Sequence, residues 1–203
     1  EVKAGIHASE GAVLVICAAS GVEVGAELHW SFLDEASLPR IVFINKMDRD
    51  NASFERALGQ LDEKFEATFV PILLPLGAQS DFSGVVDLIK MKAYMGKDGK
   101  EQDIPADVVD DVETARIEMM EYAAELDDDL MLKYLDGEEL SDQEITVALA
   151  RGVKDGNLVL VLAGSATENI GVRQLLDAMV SYLPSPEEIE HRVTNLASGD
   201  EET

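Results

Sequence analysis

The chain has little cysteine and few aromatic residues, so aliphatic side chains must form most of its core. Of the 203 residues, one is cysteine and one is tryptophan, and aromatic residues make up 5%. The single cysteine, Cys17 in the apolar run 12–19, excludes an intrachain disulfide and fits a reducing compartment. Since 46% of the residues are hydrophobic, we predict a folded protein with one good core, or one core and a smaller appended one.

Long apolar runs and basic residues are also scarce. No segment approaches the ~18 apolar residues that a membrane-spanning helix needs, and no signal peptide is visible. We therefore predict a cytoplasmic protein without a membrane partner. Sixteen basic side chains face 41 acidic ones, for a net charge of −25. Such a surface repels phosphate backbones, so we expect no direct binding to nucleic acid. The chain begins at Glu1 without methionine, and we interpret it as a piece of a longer protein.

The acidic residues are concentrated in one part of the chain. Residues 98–144 contain 18 acidic and three basic side chains, a local net charge of −15. Five of the carboxylates form a stripe along a predicted helix: Asp107, Asp111, Glu118, Glu121 and Glu125. This acidic stripe could steer a basic partner. The alternative is a solvated helix face without a partner.

Strand-like and helix-like segments alternate in the first third of the chain and return near its end. The predicted strands cover residues 11–19, 40–44 and 158–163, and the predicted helices cover residues 24–36, 51–66 and 171–183. This alternation predicts an α/β fold whose mostly parallel sheet is covered by helices on both faces.

The middle of the chain has a different pattern. Residues 69–76 contain two prolines, which are poorly tolerated in a central strand, and residues 82–95 resemble one or two strands of a small antiparallel unit. Three helices follow, at 105–126, at 128–134 and after a capping box at 141–144. We therefore predict a sheet domain over 1–68 and 158–186, an acidic inserted α+β subdomain over 69–157, and a linker over 187–203.

The residues Asn45-Lys46-Met47-Asp48 directly follow the apolar run 41–44. An N-K-x-D motif after a buried strand indicates guanine recognition. Asp48 can accept hydrogen bonds from N1–H and N2–H2 of guanine, and adenine has no such pair of donors. The Asn45 amide can serve both the base and a neighbouring loop, and the aliphatic stem of Lys46 can cover one face of the ring. The alternative is a polar turn after a strand.

A second guanine signal lies at Gly164-Ser165-Ala166, after the predicted strand 158–163. Ligands bind at the carboxyl ends of strands in open α/β sheets. A backbone N–H of Ser165 or Ala166 could donate to guanine O6, which adenine lacks, and small residues allow a close approach to the base. The tripeptide alone is usually a turn, so its position after the strand that follows the N-K-x-D motif carries the inference.

The chemistry of the phosphates is missing. No G-x-x-x-x-G-K-[ST] loop occurs in the chain, and we expect no D-x-x-G element that would hold magnesium and position water. We therefore predict no catalytic residue and no metal ligand. The chain has the base-recognition half of a GTPase without the hydrolytic half.

Several stretches together resemble the GTP-binding domain of bacterial elongation factor G, the translocation GTPase. They are residues 39–49 (PRIVFINKMDR), 82–92 (FSGVVDLIKMK), 103–107 (DIPAD), 132–140 (LKYLDGEEL), 164–166 (GSA) and 175–186 (LLDAMVSYLPSP). The resemblance covers nearly the whole chain, including the insertion, which other GTPases lack. It implies part of a P-loop GTPase-type sheet in which Asn45, Lys46, Asp48 and the loop 164–166 contact guanine.

The resemblance also implies a ribosome-dependent GTPase that catalyses translocation of tRNA and mRNA, with GTP or GDP and Mg²⁺ bound in the parent protein. The phosphate loop and both switch regions would lie upstream of Glu1, so this piece would be inactive alone. In this family the insertion is associated with contacts to the ribosomal stalk protein, so the resemblance implies that protein as a partner. Thr167 and Glu168 stand where this factor usually has phenylalanine and lysine.

That departure points to a divergent copy or to an elongation factor G-like paralogue. A release factor or a ribosomal protection protein is a further alternative for the parent protein. From a different functional class, the piece could act chiefly as an acidic module that binds the ribosomal stalk.

Overall fold

The computed structural model describes residues 1–188, 193–194 and 201–202. Its main strands are β1 Ala12–Cys17, β2 Arg40–Asn45, β3 Phe69–Leu76, β4 Gly84–Asp87, β5 Lys92–Met95, β6 Lys100–Gln102 and β7 Val159–Ala163. Its α-helices are α1 Val2–His7, α2 Val24–Glu35, α3 Phe54–Lys64, α4 Val109–Glu125, α5 Asp128–Leu135, α6 Asp142–Lys154 and α7 Val172–Tyr182. Short 3₁₀ turns lie at Gln79–Asp81 and Pro186–Glu188.

The seven main strands form one sheet in the order β1-β2-β7-β3-β4-β5-β6. The first four strands of that order run parallel, and β4, β5 and β6 are added in antiparallel pairing beside β3. The parallel part places the carboxyl ends of β1, β2, β7 and β3 at one edge of the sheet. Loops that leave this edge are therefore neighbours in space although they are distant in sequence.

Both faces of the parallel part are covered. Residues 41–44 of β2 and all five residues of β7 are buried. Because successive side chains of a strand point to opposite faces, burial of every residue requires packing on both sides of the sheet. The predicted α/β fold with a mostly parallel centre is confirmed. By contrast β1 lies at the sheet edge, and Val15 in it is 55% exposed.

The proline-containing segment is a strand inside the sheet, which is a correction to the sequence analysis. β3 lies between β7 and β4 and pairs in parallel with β7. The pairing loses register between Pro71 and Leu73, so Ile72 is an extra residue relative to β7. A register irregularity is a place where a residue without an N–H is tolerated, because the ladder is already interrupted there.

Helix positions follow the apolar spacing, but their ends differ from it by a few residues. α4 begins at Val109 rather than at residue 105, and Val108 donates its backbone N–H to Pro105 O in a preceding turn. The predicted capping box of α6 is present, with Ser141 Oγ accepting from the Glu144 N–H and the Glu144 carboxylate accepting from the Ser141 N–H. α1 was not predicted, and it has no buried residue that would give an apolar pattern.

Among the described residues, all buried hydrophobic residues except Leu33, Leu38 and Ala124 belong to one core cluster. It includes Ile44 and Leu61 from the first third of the chain, Met119 and Leu149 from the middle, and Leu162 from β7. The predicted inserted segment, residues 69–157, therefore extends the sheet and shares its core. Most of the predicted linker 187–203 lies outside the described residues. In the described part of it, β8 Val193–Thr194 pairs in antiparallel fashion with β9 Glu201–Glu202. Within residues 1–188, 193–194 and 201–202, every helix is too short or too polar to span a bilayer.

Candidate functional site

Two loops meet at the carboxyl edge of the parallel strands. β2 and β7 are adjacent, with Ile44 opposite Ala163, so the loops after them leave the sheet side by side. The Gly164 N–H donates to Ile44 O at 3.0 Å, and the Met47 N–H donates to Gly164 O at 3.2 Å. The structure thus brings together the two segments that the sequence marked as guanine signals.

The Asn45 side chain joins these two loops. Its Oδ1 accepts the N–H of Lys46 at 2.7 Å and the N–H of Ala166, 121 residues further along the chain, at 2.9 Å. Lys46 has a φ of +65°, a left-handed conformation that a non-glycine residue adopts only when its surroundings hold it. The exposed Lys46 side chain starts from this turn. Asn45 therefore fixes the geometry of both loops at once.

Asp48 has an unpaired buried oxygen. Its Oδ1 is buried without a hydrogen-bond partner, and it is the only such side-chain nitrogen or oxygen among the unexposed residues that the structure describes. The side chain as a whole is 22% exposed, and its other oxygen lies 4.0 Å from Nε of Arg49. A buried acceptor without a donor is unfavourable, so this atom indicates a donor that a ligand would supply.

Ser165 and Ala166 differ in what their N–H groups can do. Ser165 is fully buried, and it exchanges two backbone hydrogen bonds with Ile170, of 2.9 and 3.0 Å. Its Oγ accepts the Glu168 N–H at 3.2 Å. The Ser165 N–H is therefore committed to the loop itself, contrary to one of the two options drawn from the sequence. Ala166 is exposed at the end of the loop, and its N–H faces Asn45.

Gly164 is required where the loop begins. A Cβ on this residue would lie 2.6 Å from Ile170 O and 2.6 Å from a ring carbon of Phe43. Real Cβ atoms do not approach other atoms that closely, so a larger residue would push the loop away from the sheet. From the sequence we predict that small residues here allow close approach to the base, and the structure shows that Gly164 also lies close to the loop's own backbone.

A third segment supports the N-K-x-D loop. Met47 is fully buried, and its carbonyl accepts the N–H of Gln79 at 2.7 Å. Gln79 has a φ of +58° in the turn between β3 and β4. Sequence reasoning missed this contact, because nothing in the residue types of the turn marks it as a partner of the motif.

The same turn corrects a second expectation. The letters D-x-x-G do occur in the chain, at residues 81–84. Asp81 is exposed and ends the 3₁₀ turn, and Gly84 begins β4. Among the described residues, no group of three or more His, Cys, Asp or Glu side chains could hold a metal ion.

Cys17 is the titratable residue of β1, and it lies opposite Asn45 in the register of β1 and β2. Burial by itself raises the pKa of its thiol. Hydrogen bonds from Ser20 and Ala19 and the positive charge of Lys46 act in the opposite direction, and the pKa of Cys17 is lowered overall. Cys17 is half-buried at the end of its strand.

The acidic stripe lies away from these loops. All five of its side chains are exposed: Asp107, Asp111, Glu118, Glu121 and Glu125. Asp107 precedes α4, and the other four belong to the helix. The Tyr134 hydroxyl donates to Glu121 Oε1 at 3.4 Å. The stripe is thus a solvent-facing surface of α4.

Comparison with known proteins gives two results. The sequence model of the family described as elongation factor Tu GTP binding domain matches residues 1–185. A crystal structure of a protein from Thermus thermophilus is similar to this chain with a TM-score of 0.84 and 31% sequence identity, over 93% of this chain. The chain spans 28% of the length of that protein.

Proposed function

Because this chain belongs to the elongation factor Tu GTP-binding domain family, a family of translational GTPases, we propose that it supplies guanine recognition to a ribosome-dependent GTPase of the elongation factor G type. The parent protein would catalyse translocation of tRNA and mRNA in the cytoplasm. The resemblance of the insertion to that factor supports this choice over a release factor or a ribosomal protection protein. Since the chain spans 28% of the matched Thermus protein, the activity of the whole protein is part of the proposal.

The observation that carries the proposal is the unpaired Oδ1 of Asp48. In the proposed complex the Asp48 carboxylate accepts N1–H and N2–H of guanine, which satisfies that oxygen. Adenine offers no donors in those positions, so bound adenine would leave the carboxylate unpaired at a cost of about 1–3 kcal/mol or more. Lys46 covers one face of the ring with its aliphatic stem.

The O6 atom of the base is read by the second loop. The Ala166 N–H donates to Asn45 Oδ1 at 2.9 Å, and in the proposed complex it is shared with guanine O6. Asn45 therefore acts mainly by holding the loop of Gly164, Ser165 and Ala166 in place. The buried Ser165 supports this loop from below and does not contact the base.

The phosphates receive little from this chain, because its sequence has no phosphate loop. We expect GDP or GTP to bind more weakly than micromolar and GTP not to be hydrolysed by the chain alone. In the parent protein, Mg²⁺ and the phosphates would be held by segments that this chain does not contain.

The ribosome is the proposed partner of the parent protein. The exposed acidic stripe on α4 offers a surface for a basic partner, for which the ribosomal stalk protein is our candidate. Charge complementarity of this kind increases association rates and is weakened by salt. No contact of the stripe with the guanine site is required, so this second role is independent of nucleotide recognition.

The proposal predicts that Asp48→Asn changes base preference. The amide of asparagine can accept N1–H of xanthine and donate to its O2, whereas the same donor meets the N2–H2 of guanine unfavourably. We expect affinity for GMP to fall about ten- to a hundredfold, the loss of a hydrogen bond to a charged group, and affinity for XMP to rise. Titrations followed by amide NMR shifts can measure such weak binding.

Asp50→Asn is the matched control, since it makes the same charge change at an exposed residue of the same turn. It should leave the preference for GMP over AMP and XMP unchanged. The proposal fails if wild-type protein binds GMP and AMP equally, or if Asp48→Asn keeps the preference for GMP. GDP binding at micromolar or tighter affinity would contradict the expected weakness of phosphate binding.

A further inference from the structure

The loop that carries Ala166 is also held from outside by the turn between β5 and β6. Lys97 in this turn places its Nζ 2.8 Å from Oε2 of Glu168. The Asn169 side-chain amide donates to Lys97 O at 3.1 Å. A charged contact and a neutral hydrogen bond thus join the turn to the loop, across 72 residues of sequence. The Asp48 and Asn45 interactions described above do not use either contact.

The turn is itself attached to the sheet. The Gly96 N–H donates to Ser83 O at 2.8 Å. β5 is paired along its whole length with β4, and residues 93–95 of it are paired with β6. Lys97 therefore belongs to a part of the molecule whose position is set by the sheet. A contact with such a fixed point can restrain a loop, whereas a contact between two free loops cannot.

The restrained residues are next to the N–H that reads the base. Glu168 donates its N–H to Ser165 Oγ at 3.2 Å, and Asn169 donates its N–H to Ala166 O at 3.3 Å. Asn169 has a φ of +55°, a conformation that asparagine tolerates better than most residues. Displacement of Glu168 or Asn169 would thus move the peptide that presents the Ala166 N–H.

We propose that the β5–β6 turn positions the guanine-reading loop, with Lys97 as the positioning residue. This inference rests on the proposed function, because it assigns the loop to guanine O6. It implies that the inserted segment, which contains the turn, affects base affinity without touching the base. A partner bound to that segment could therefore alter nucleotide affinity by moving the turn.

The size of the effect is limited by exposure. The side chains of Lys97 and Glu168 are 67% and 36% exposed, and exposed ion pairs are weak and screened by salt. We therefore expect Lys97→Glu, which replaces attraction by repulsion, to weaken guanosine binding about two- to fivefold. Guanosine is the probe because it has no phosphate, so its affinity does not follow the net charge of the protein.

The test compares Lys97→Glu with the charge-swapped double variant Lys97→Glu/Glu168→Lys. The swap restores the ion pair with reversed charges, so guanosine affinity should return to within about twofold of wild type. Lys100→Glu is the matched control, because it makes the same charge change at an exposed residue of the same hairpin. It should bind guanosine as wild type does. At high salt the deficit of Lys97→Glu should shrink towards zero, because the Asn169 hydrogen bond to the Lys97 backbone is present in both proteins and only the charge interaction differs.

A second readout needs no nucleotide. Amide hydrogen exchange at Ala166, Asn169 and Ile170 should be faster in Lys97→Glu, should be restored by the swap, and should be unaffected by Lys100→Glu. Unchanged exchange and unchanged guanosine affinity in Lys97→Glu would overturn the inference, as would a swap that restores neither. If wild-type protein binds no guanosine, the proposed function fails with it, and the exchange data alone then decide whether the turn restrains the loop.

Discussion

At the scale of single residues, the candidate site depends on side chains that are held in one position by hydrogen bonds or by burial. Asn45 bonds to two loops with one oxygen, and Asp48 keeps one oxygen unpaired in a buried position. In the proposed complex the first arrangement would supply rigidity and the second would supply selectivity for guanine. A rigid site is necessary for selectivity. If the carboxylate were mobile, it could hydrogen-bond to water when adenine is bound, and the penalty that disfavours adenine would be lost.

Gly164 is the residue at which this rigidity can be tested. Gly164→Ala places a Cβ against Ile170 O and the Phe43 ring, and the backbone atom cannot move away by rotating a side chain. We expect a loss of about 1–3 kcal/mol of unfolding free energy, as for an overpacked core, together with loss of guanine binding. Urea unfolding and a GMP titration measure the two effects.

Gly59→Ala is the matched control for that substitution. Gly59 lies within α3, and nothing lies within 4 Å of the added Cβ. Alanine is a better helix former than glycine, so this variant should be more stable by up to about 1 kcal/mol. If Gly164→Ala behaved like Gly59→Ala, the close approach of the loop to the sheet would not matter.

At the scale of elements, the sequence predicted the helices whose apolar residues recur at regular spacing. It did not predict features that depend on contacts between residues far apart in the chain. Apolar spacing located α2, α3 and α7, because each buries one face against the core, and the capping box located α6. The strand β3 contradicted its local composition, because pairing with β7 and β4 outweighs the preference of proline for edges. The resemblance to elongation factor G implied that residues 45–48 and the loop 164–166 contact one base, which requires the two segments to be neighbours, as the structure places them. The support from Gln79 and Lys97 could not be predicted, since both contacts join turns that have no periodic signal.

The capping box of α6 gives a prediction for this scale. The Glu144 carboxylate accepts hydrogen bonds from Lys133 Nζ at 2.8 and 3.0 Å, from the Ser141 hydroxyl at 2.7 Å and from the Ser141 N–H at 2.8 Å. The Lys133 bond, followed by those from Ser141, lowers the pKa of Glu144 from 4.5 to about 2. The charged form is thus favoured in the folded state relative to the unfolded chain.

A group with a lowered pKa stabilises the fold above its unfolded pKa, and the contribution is lost as the pH falls through the folded value. Glu144→Gln keeps a capping side chain but removes the charge. We expect it to be less stable than wild type at pH 7, with the difference shrinking between about pH 4.5 and pH 2. Urea midpoints across that range measure it. Glu138→Gln, at an exposed residue, should show a much smaller difference, and a pH-independent deficit of Glu144→Gln would assign the effect to packing.

At the scale of the whole molecule, the inserted segment and the GTPase-type sheet share one core. Met119 of α4 is 1% exposed and belongs to the same cluster as Phe69 of β3 and Ile44 of β2. Trp30, the one tryptophan of the chain, stacks on Phe65 with ring centroids 4.2 Å apart. Its fluorescence therefore reports on the first third of the chain, whereas α4, α5 and α6 contribute to the helical circular dichroism from the insertion.

A shared core predicts that the two parts unfold together. Met119→Ala should lower the unfolding free energy by about 2–5 kcal/mol, the usual loss for a buried methionine, and should shift the Trp30 and circular dichroism transitions equally. Met120→Ala makes the same change at a half-buried neighbour, where fewer contacts are lost and a smaller common shift is expected. If circular dichroism fell in an early step while Trp30 fluorescence stayed native, the insertion would be a separate folding unit. Coupling between the β5–β6 turn and the guanine loop would then have to act through Lys97 alone.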